Sequence, residues 1–425
     1  MSVYKNKIKS SVQACYPWVI VFMSCLFLFY KYIAQVSPSV MTGELMQHFS
    51  LHATGLSELV AAYFPAYLLT QLMAGPLLDR FSVRWLSSSA IALMSLSLLG
   101  FSHATSLWQA YLWRAGMGMG AAFATVSYLK LAALWFSDQK YAYVAGWLAT
   151  ASSVGGMIAQ APVAYSVQHF GWNHTLYLCA LVGAVVAGMY GVMVKDKLTS
   201  SNGQLNVVEN QAGLSGLKQI LKSKKVWLLA IYSGLAWAPM AVFSGLWGDS
   251  YLEVAYHATK MHAASLVSIS FFGLAVGGPL FGWLANRWNN LYRVMFVGLA
   301  LSLAGLLYAS FAPARSEWLL GFALFLFGFG TAAFMAGFAL GKRWFSVLLA
   351  ASLVSIVNTG DAFFGSFTEP MVGKLMDYFW SGEMVHGAPI FSLHAYHLAL
   401  VVLPGYLVAA AFVLLIIRRL DNKMH

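Results

Sequence analysis

A few charged side chains lie inside long apolar stretches of the sequence, where each charge carries a cost. Lys31 and Arg114 fall in the first half of the 425-residue chain, and Asp361 and Glu369 fall in the second half. A charge inside a transmembrane helix costs at least about 2.5–3.5 kcal/mol and usually faces a cavity or a partner. Two cations and two carboxyls suit the binding of a small anion or zwitterion and the exchange of protons. We therefore predict that these residues carry the chemistry of the protein.

Lys31 lies near the middle of the first apolar segment, fourteen residues after Pro17, or about 21 Å along a helix. Ser24 and Gln35 share its helix face, and a polar stripe on an otherwise apolar helix is expected to line a cavity. We predict that Lys31, Gln35 and the adjacent Tyr30 bind substrate. The alternative is a purely structural pair between Lys31 and a carboxyl of the second half.

Arg114 lies seven residues into the fourth apolar segment. Its face continues through Gly118, Ala121 and Thr125, small residues that are expected to leave room for a ligand. Substrate binding is one prediction for Arg114, and a structural or proton-coupling role is the alternative. Lys130 is rotated by about 160° from Arg114 and lies near the end of its segment, so we expect it at the membrane surface.

Asp361 follows Asn358 in the eleventh apolar segment, and Glu369 lies eight residues further on, about 12 Å along the helix and on nearly the same face. A carboxyl held within the membrane is suited to bind and release a proton during a transport cycle. We predict that Asn358 binds substrate and that Asp361 and Glu369 couple transport to protons. Three other acids are expected to be solvated: Asp249, Glu253 and Glu317.

The composition is that of an all-α membrane protein. Hydrophobic residues make up 60% of the chain and charged residues 9%, whereas soluble proteins are about one quarter charged. The three cysteines have no metal-ligand spacing, and no phosphate-binding, zinc or dinucleotide motif is present. We therefore predict no cofactor, no metal and no catalytic residue, and thus no enzyme.

A helix needs about 20 apolar residues to cross the hydrocarbon, and twelve segments of that kind follow one another. They lie near 17–40, 55–78, 85–103, 107–136, 142–168, 174–194, 226–248, 262–285, 293–312, 317–341, 347–378 and 391–417. With the N-terminus in the cytoplasm, nineteen of the 25 Lys and Arg residues fall on the inner side and three on the outer side. This asymmetry predicts that both termini are cytoplasmic. It also accounts for the net charge of +11 without nucleic acid as a partner.

The longest polar stretch separates the sixth segment from the seventh. It begins with a Ser-, Asn- and Gly-rich linker and continues with Leu214, Leu217 and Leu221 at the spacing of an amphipathic helix on the membrane surface. We predict an N-terminal six-helix bundle (1–195), a cytoplasmic linker with an amphipathic helix (196–225) and a C-terminal six-helix bundle (226–425).

The two halves repeat each other at an offset near 208 residues. Gly75-x-Leu-x-Asp79-Arg80 matches Gly282-x-Leu-x-Asn286-Arg287, and Gly118-x-Gly120 matches Gly328-x-Gly330. Two parallel six-helix halves are a known transporter design, with the substrate site between them near the membrane midplane.

The loop from Gly75 to Arg84 resembles the signature between helices two and three of the major facilitator superfamily, and Arg114 to Ala122 resembles that family's fourth-helix signature. The resemblance implies twelve helices in two pseudo-repeats, and alternating access. It also implies gating residues at the repeated loop: Gly75, Asp79, Arg80, Arg84, Asn286 and Arg287. The fifth-helix signature of antiporters is poorly kept, which favours uptake. The tract Phe29-Tyr30-Lys31-Tyr32 resembles a first helix of nutrient carriers of intracellular bacteria, of the amino-acid or siderophore type.

These observations predict a monomeric secondary active transporter in the bacterial inner membrane, with a small-molecule substrate, protons and lipid as its partners. Its substrate is expected to be a small anionic or zwitterionic nutrient, an amino acid or a carboxylate, taken up with protons. The alternatives are a siderophore or organic-anion carrier, and an exporter or antiporter of the same fold. A membrane enzyme would need clustered catalytic side chains, and a receptor or scaffold would not explain a repeated gating signature.

Overall fold

The apolar stretches fold as helices, because in lipid the backbone N–H and C=O groups of a segment must bond within it. The computed structural model describes residues 2–136, 138–195, 219–312, 316–345, 350–385 and 387–422. Within these ranges the chain is almost entirely helical, and its one hairpin consists of β1 (Met384–Val385) and β2 (Ala388–Pro389).

Helices are numbered here by membrane crossing. Their bounds are α1 (Ser2–Val36, Ser37–Met41 as a 3-10 turn, Thr42–Phe49), α2 (Ala53–Ala61, Tyr63–Arg80), α3 (Val83–Ser102), α4 (Leu107–Trp135), α5 (Asp138–Ala159, 161–170), α6 (172–193), α7 (Lys224–Val242, Phe243–Trp247 as a π-turn, Gly248–Tyr256), α8 (Lys260–Trp288), α9 (Leu291–Phe311), α10 (Glu317–Thr331, Ala332–Met335 as a 3-10 turn, Ala336–Lys342), α11 (Ala350–Tyr378) and α12 (Leu393–Leu400, Val402–Asn422). The chain turns between α5 and α6 at Gly171, whose φ of 78° is open to glycine at little cost.

The predicted number of crossings is confirmed. In the described residues, nine segments are long and apolar enough to span a membrane, and one of these, Thr150–Met193, contains the turn at Gly171 and so two crossings. Two further segments of full length, 53–80 and Ala350–Tyr378, are more polar. The first helical segment is longer than predicted at both ends: it begins at Ser2 and, after a 3-10 turn that contains Pro38, continues to Phe49.

The sequence repeat reappears as matched contacts in the two halves. Helix α3 begins at Val83 and α9 at Leu291, 208 positions later. The residue before each helix caps it: the Ser82 side chain accepts from the Trp85 N–H, and the Asn290 side chain accepts from the Arg293 N–H. The two signature loops therefore end in the same local structure.

The paired glycines allow close contact between helices. A methyl group at Gly118 of α4 would lie 2.1 Å from the Tyr63 carbonyl oxygen of α2, and one at Gly328 of α10 would lie 1.7 Å from the Ser270 carbonyl oxygen of α8. Gly118 thus serves helix packing. The expectation that this face of α4 leaves room for a ligand is wrong at that position.

Contacts between the halves are concentrated at one end of the bundle. We call this end, where α1 leads into α2, the distal face, and the end where α1 begins and α12 ends the terminal face. At the distal face the Asp377 carboxylate accepts from the N–H groups of Ala53 and Thr54, at 2.9 and 2.8 Å, and so caps α2 from the other half. Lys260 forms an ion pair with Glu44. We call this set of contacts the distal seal.

The predicted domain bounds stay a prediction. Most of the linker, including Leu214 and Leu217, lies outside the described residues.

Candidate functional site

Lys31 lies at the interface between the halves, with its side chain 7% exposed. Its ammonium group is 4.8 Å from the ring centroid of Tyr67 and 5.2 Å from that of Tyr32, distances at which a cation is attracted to an aromatic face. It also donates to the Tyr67 hydroxyl at 3.4 Å. Lys31 forms no ion pair with any carboxylate in the part of the chain that the structure describes. The charge is thus buried and held by aromatic rings.

The opposite wall of this site comes from the second half. The Asn358 amide of α11 donates to the Tyr67 hydroxyl at 3.4 Å and to Gln71 Oε1 at 3.3 Å. The Tyr67 hydroxyl therefore links Lys31 of one half to Asn358 of the other. Asn358 lies at the interface, as its prediction as a substrate ligand requires.

Asp361 lies one turn further along α11 and is 8% exposed. It accepts a hydrogen bond of 2.6 Å from the Ser233 hydroxyl of α7. Lys31 and Asp361 interact electrostatically across the interface but do not form an ion pair. The alternative for Lys31 was a structural ion pair with a carboxyl of the second half. In the structure, Lys31 and Asp361 attract each other without such a pair.

Arg114 is buried and uses most of its donors on backbone oxygens. It donates to the carbonyls of Ala34 at 2.6 Å, Gln35 at 2.8 Å and Val60 at 3.3 Å. Ala34 and Gln35 precede the point at which α1 changes to a 3-10 turn, and Val60 precedes the break in α2. Carbonyls at such breaks lack their usual helical donors. The main contact of Arg114 is thus structural, and its guanidinium braces two broken helices beside the site.

A narrow cavity continues from this site toward the distal face, with a volume of about 10 Å³, the size of one water molecule. Both halves line it, including Tyr32, Gln35 and Arg114 from the first and Trp237, Phe271 and Glu369 from the second. Glu369 is 2% exposed and interacts electrostatically with Arg114. Its Oε2 accepts no hydrogen bond from a described residue. Asp361 and Glu369 of α11 thus each interact with one cation of the first half, Lys31 and Arg114 respectively.

Tyr30 does not belong to this site, which corrects the prediction that it binds substrate. Its ring points into the first half, where a methyl group at Gly183 of α6 would lie 2.0 Å from the Tyr30 hydroxyl. Residues two positions apart on a helix point about 200° apart, so with the Tyr32 ring beside Lys31 at the interface, Tyr30 faces the other way.

Asp249 is a second correction. The sequence predicts a solvated acid, but its side chain is 1% exposed, on the distal segment of α7. Glu253, one turn further along α7, is half-buried.

The predicted gating residues lie at the terminal face, at the ends of α2, α3 and α8. Arg80, Asn286 and Arg287 are exposed. Arg84 donates to the Gly191 carbonyl, within the first half. A methyl group added at Gly75 would have no neighbouring atom within 4 Å. The side chain of Asp79 lies outside the described part of the structure, so its gating role stays a prediction.

Four residues of the site were not predicted: Tyr32, Tyr67, Gln71 and Ser233. Gln71 and Ser233 are polar residues in apolar segments, so the sequence does contain a signal for them. They were not predicted because the charged residues of the same segments were given more weight. Tyr67 has no such signal, because tyrosine is common in helices of this kind.

Comparison with known proteins finds several bacterial transporters among the similar sequences. The chain is similar to the probable L-galactonate transporter of Escherichia coli strain K12 (24% identity over 377 residues, covering 82% of this chain and 80% of that protein). It is also similar to the hexuronate transporter of the same strain (22% identity, covering 68% and 70%) and to its probable galactarate/D-glucarate transporter (22% identity, covering 78% and 81%). These relatives are named for sugar acids, and not for amino acids or siderophores.

Solved structures support the same fold. The crystal structure of a bacterial homologue of the human lysosomal transporter Spinster, in an inward-facing and unoccupied conformation, superposes with a TM-score of 0.76 at 16% identity, covering 96% of this chain and 98% of that one. The nucleoside transporter NupG gives a TM-score of 0.70 at 14% identity, covering 94% and 98%. The family profile of the Major Facilitator Superfamily matches residues 18–255, more than half of the chain. With its twelve crossings, its repeated helix contacts and a polar site between the halves, the protein belongs to the major facilitator superfamily and is a membrane transporter rather than an enzyme.

Proposed function

We propose that this protein carries a small organic anion of the sugar-acid class across the bacterial inner membrane by alternating access. The observation that carries the proposal is Lys31, a buried cation between the halves that lacks an ion-pair partner among the described residues. A buried ammonium without a carboxylate is costly, and an anionic substrate would supply that carboxylate. The sugar-acid relatives favour this class over the amino acids and siderophores that the first-helix tract suggests.

The surroundings of Lys31 suit the rest of a sugar acid. The Tyr67 hydroxyl and the Asn358 and Gln71 amides offer donors and acceptors to several hydroxyl groups. The Tyr32 ring offers a flat apolar face. Arg114 contributes by holding the broken ends of α1 and α2 beside the site.

Proton coupling through Asp361 and Glu369 is part of the proposal. An opposite charge nearby favours the ionised form of a carboxyl. When a substrate carboxylate engages Lys31, that lysine stabilises the Asp361 carboxylate less, and Asp361 then binds a proton more readily. Substrate and proton would in this way bind together. Glu369 and Arg114 form the corresponding pair nearer the distal face.

Lys31→Ala tests the binding site. The substitution is expected to weaken the binding of a hexuronate or an aldonate by about 1.5–3 kcal/mol, the range for a hydrogen bond to a charged group, which corresponds to roughly 10- to 150-fold in Kd. Titration calorimetry on the purified protein measures this change. Uptake into proteoliposomes of the same sugar acids, with L-amino acids as competitors, tests the substrate class.

Lys374→Ala is the matched control, because Lys374 is an exposed lysine of α11, and it is expected to bind like the wild type. Lys31→Arg should recover part of the affinity. Wild-type binding by Lys31→Ala would overturn the proposed site, and amino-acid uptake without sugar-acid uptake would overturn the substrate class.

Asp79→Asn is expected to bind substrate in the calorimetric titration and to lose uptake in proteoliposomes, as a gating residue would.

A further inference from the structure

Asp249 on α7 is a buried carboxyl that the proposed binding site does not use. Hydrogen bonds between the halves lie on both sides of it: the Gln160 amide of α5 donates to the Ser244 carbonyl at 2.7 Å, and the hydroxyls of Thr42 and Ser250 share a hydrogen bond of 2.6 Å. With its side chain 1% exposed, Asp249 therefore lies inside the distal seal.

The groups next to Asp249 have a surplus of acceptors. Ser39 of the 3-10 turn in α1 and Gln160 adjoin the carboxyl, but neither of its oxygens accepts a hydrogen bond of normal geometry from a described residue. Gln160 uses its amide N–H groups on Ser244 and Ser39, and its own Oε1 also has no described donor. Three acceptor oxygens thus lie in one buried place, and among these described groups the Ser39 hydroxyl hydrogen is the one donor that the other contacts leave available.

The charges around this place do not balance an ionised Asp249. Glu253 of α7 itself and Lys260 of α8 interact electrostatically with Asp249, and Glu44 of α1 interacts with both Glu253 and Lys260. Lys260 is the one cation among them, and it forms an ion pair with Glu44. From α5 comes the uncharged Gln160. Tyr396 and His397 of α12 pack against Tyr251, on another side of α7.

An ionised carboxylate in this setting would be a buried charge without a partner, and such a group takes up a proton instead. A proton on Asp249 removes the negative charge. It also converts one carboxyl oxygen from an acceptor into an O–H donor, which can donate to a neighbouring acceptor oxygen. A proton also needs no added space, whereas a metal ion needs a shell of ligands.

We propose that Asp249 is a proton-binding site of the distal seal, occupied when the seal is closed and emptied into the water at the distal face when the seal opens. Opening separates α1 and α5 from α7, which exposes the carboxyl and lets it ionise. The proton enters and leaves at the distal face. Its binding therefore changes the fraction of molecules in which the distal seal is closed, but it does not drive the transport of substrate. This distinguishes Asp249 from Asp361 and Glu369. The inference uses from the proposed function only the movement of the halves.

A distance measurement across the seal tests this site. Spin labels are placed at Gln47→Cys and Met261→Cys, exposed positions at the distal ends of α1 and α8, in full-length protein whose three native cysteines are replaced by serine. The distance between them is measured by pulsed electron paramagnetic resonance without substrate, from about pH 5 to about pH 9, a range that covers the titration of buried carboxyls. The wild type is expected to shift from the short distance to a longer one as the pH rises. Asp249→Asn, a permanent analogue of the protonated acid, is expected to keep the short distance throughout.

Glu253→Gln is the matched control and is expected to keep the pH-dependent shift, moved to a lower pH because one negative charge next to Asp249 is removed. Asp249→Ser, neutral and smaller, is a second variant in case the amide disturbs folding, and it should also lose the pH dependence. A wild type with no pH dependence, or an Asp249→Asn curve that follows the wild type, would overturn the proposal. Because no substrate is present, failure of sugar-acid uptake would overturn the proposed function and leave this result standing.

Discussion

At the scale of single residues, the site is built from opposite charges that belong to different halves. Lys31 and Arg114 lie in the first half, and Asp361 and Glu369 lie on one helix of the second. Neither Lys31 nor Arg114 is joined to its acid by an ion pair in the described residues. The two cations and the two acids therefore attract one another across the interface without direct contact.

The proton-coupling prediction belongs to this scale. Asp361→Asn and Glu369→Gln each remove one titrating carboxyl without changing its shape. We expect at least one of them to abolish accumulation of substrate driven by a pH gradient in proteoliposomes. Counterflow, which requires only exchange of substrate, is expected to continue, because the loaded protein can still change conformation. Normal pH-driven accumulation in both variants would leave the proton hypothesis without a carrier.

At the scale of helices, glycine sets how closely neighbouring helices approach. Gly118 meets Tyr63 in the first half as Gly328 meets Ser270 in the second, and Gly120 meets Ala90 as Gly330 meets Gly298. In membranes, helix association depends on such close contact, because lipid is as apolar as the side chains. The broken helices α1 and α2 are held in turn by Arg114.

Gly118→Ala and Gly328→Ala test this packing. Each added methyl group would overlap a backbone oxygen, which cannot move away as a side chain can, and overpacking of this kind costs about 1–3 kcal/mol or more. We expect a lower melting temperature in detergent for both variants. Gly405→Ala on α12 is the control, because open space surrounds that position. Equal melting temperatures for the three variants would show that the glycines are not needed for close approach.

At the scale of the whole molecule, the structure shows the halves joined at the distal face by Asp377, by the ion pair of Lys260 with Glu44, and by hydrogen bonds around Asp249. The Spinster homologue that it resembles was crystallised in an inward-facing conformation. If the termini are cytoplasmic, as the distribution of Lys and Arg predicts, the distal seal closes the outer side.

Cysteine labelling in spheroplasts tests this orientation. In a protein without native cysteines, Met261→Cys at the distal face is expected to react with a membrane-impermeant maleimide, and Asn422→Cys at the terminal face to react only after the membrane is permeabilised. The reason is the positive-inside bias of nineteen residues to three. The reverse pattern would place the distal seal on the cytoplasmic side.

The sequence alone determined the membrane class, the twelve crossings and the two-fold repeat. These features depend on local composition, because a span of apolar residues in lipid has little choice but to form a helix. The intramembrane charges could also be recognised, since each of them is costly enough to require a partner or a function. Asn358, Asp361 and Glu369 could therefore be placed near a site before any contact was known.

Only the tertiary structure decided which face of each helix meets which neighbour. Tyr30 points toward α6 within the first half, whereas Lys31 faces the second half. Arg114 donates three of its hydrogen bonds to backbone carbonyls. Asp249, expected in water, proved to be buried, because the distal end of α7 packs against α1 and α5. Such contacts join residues 54 to 208 positions apart. The surroundings of a side chain there depend on breaks and tilts in several helices at once. The local sequence pattern predicts that a helix forms, whereas the packing of the whole bundle determines which helices it contacts.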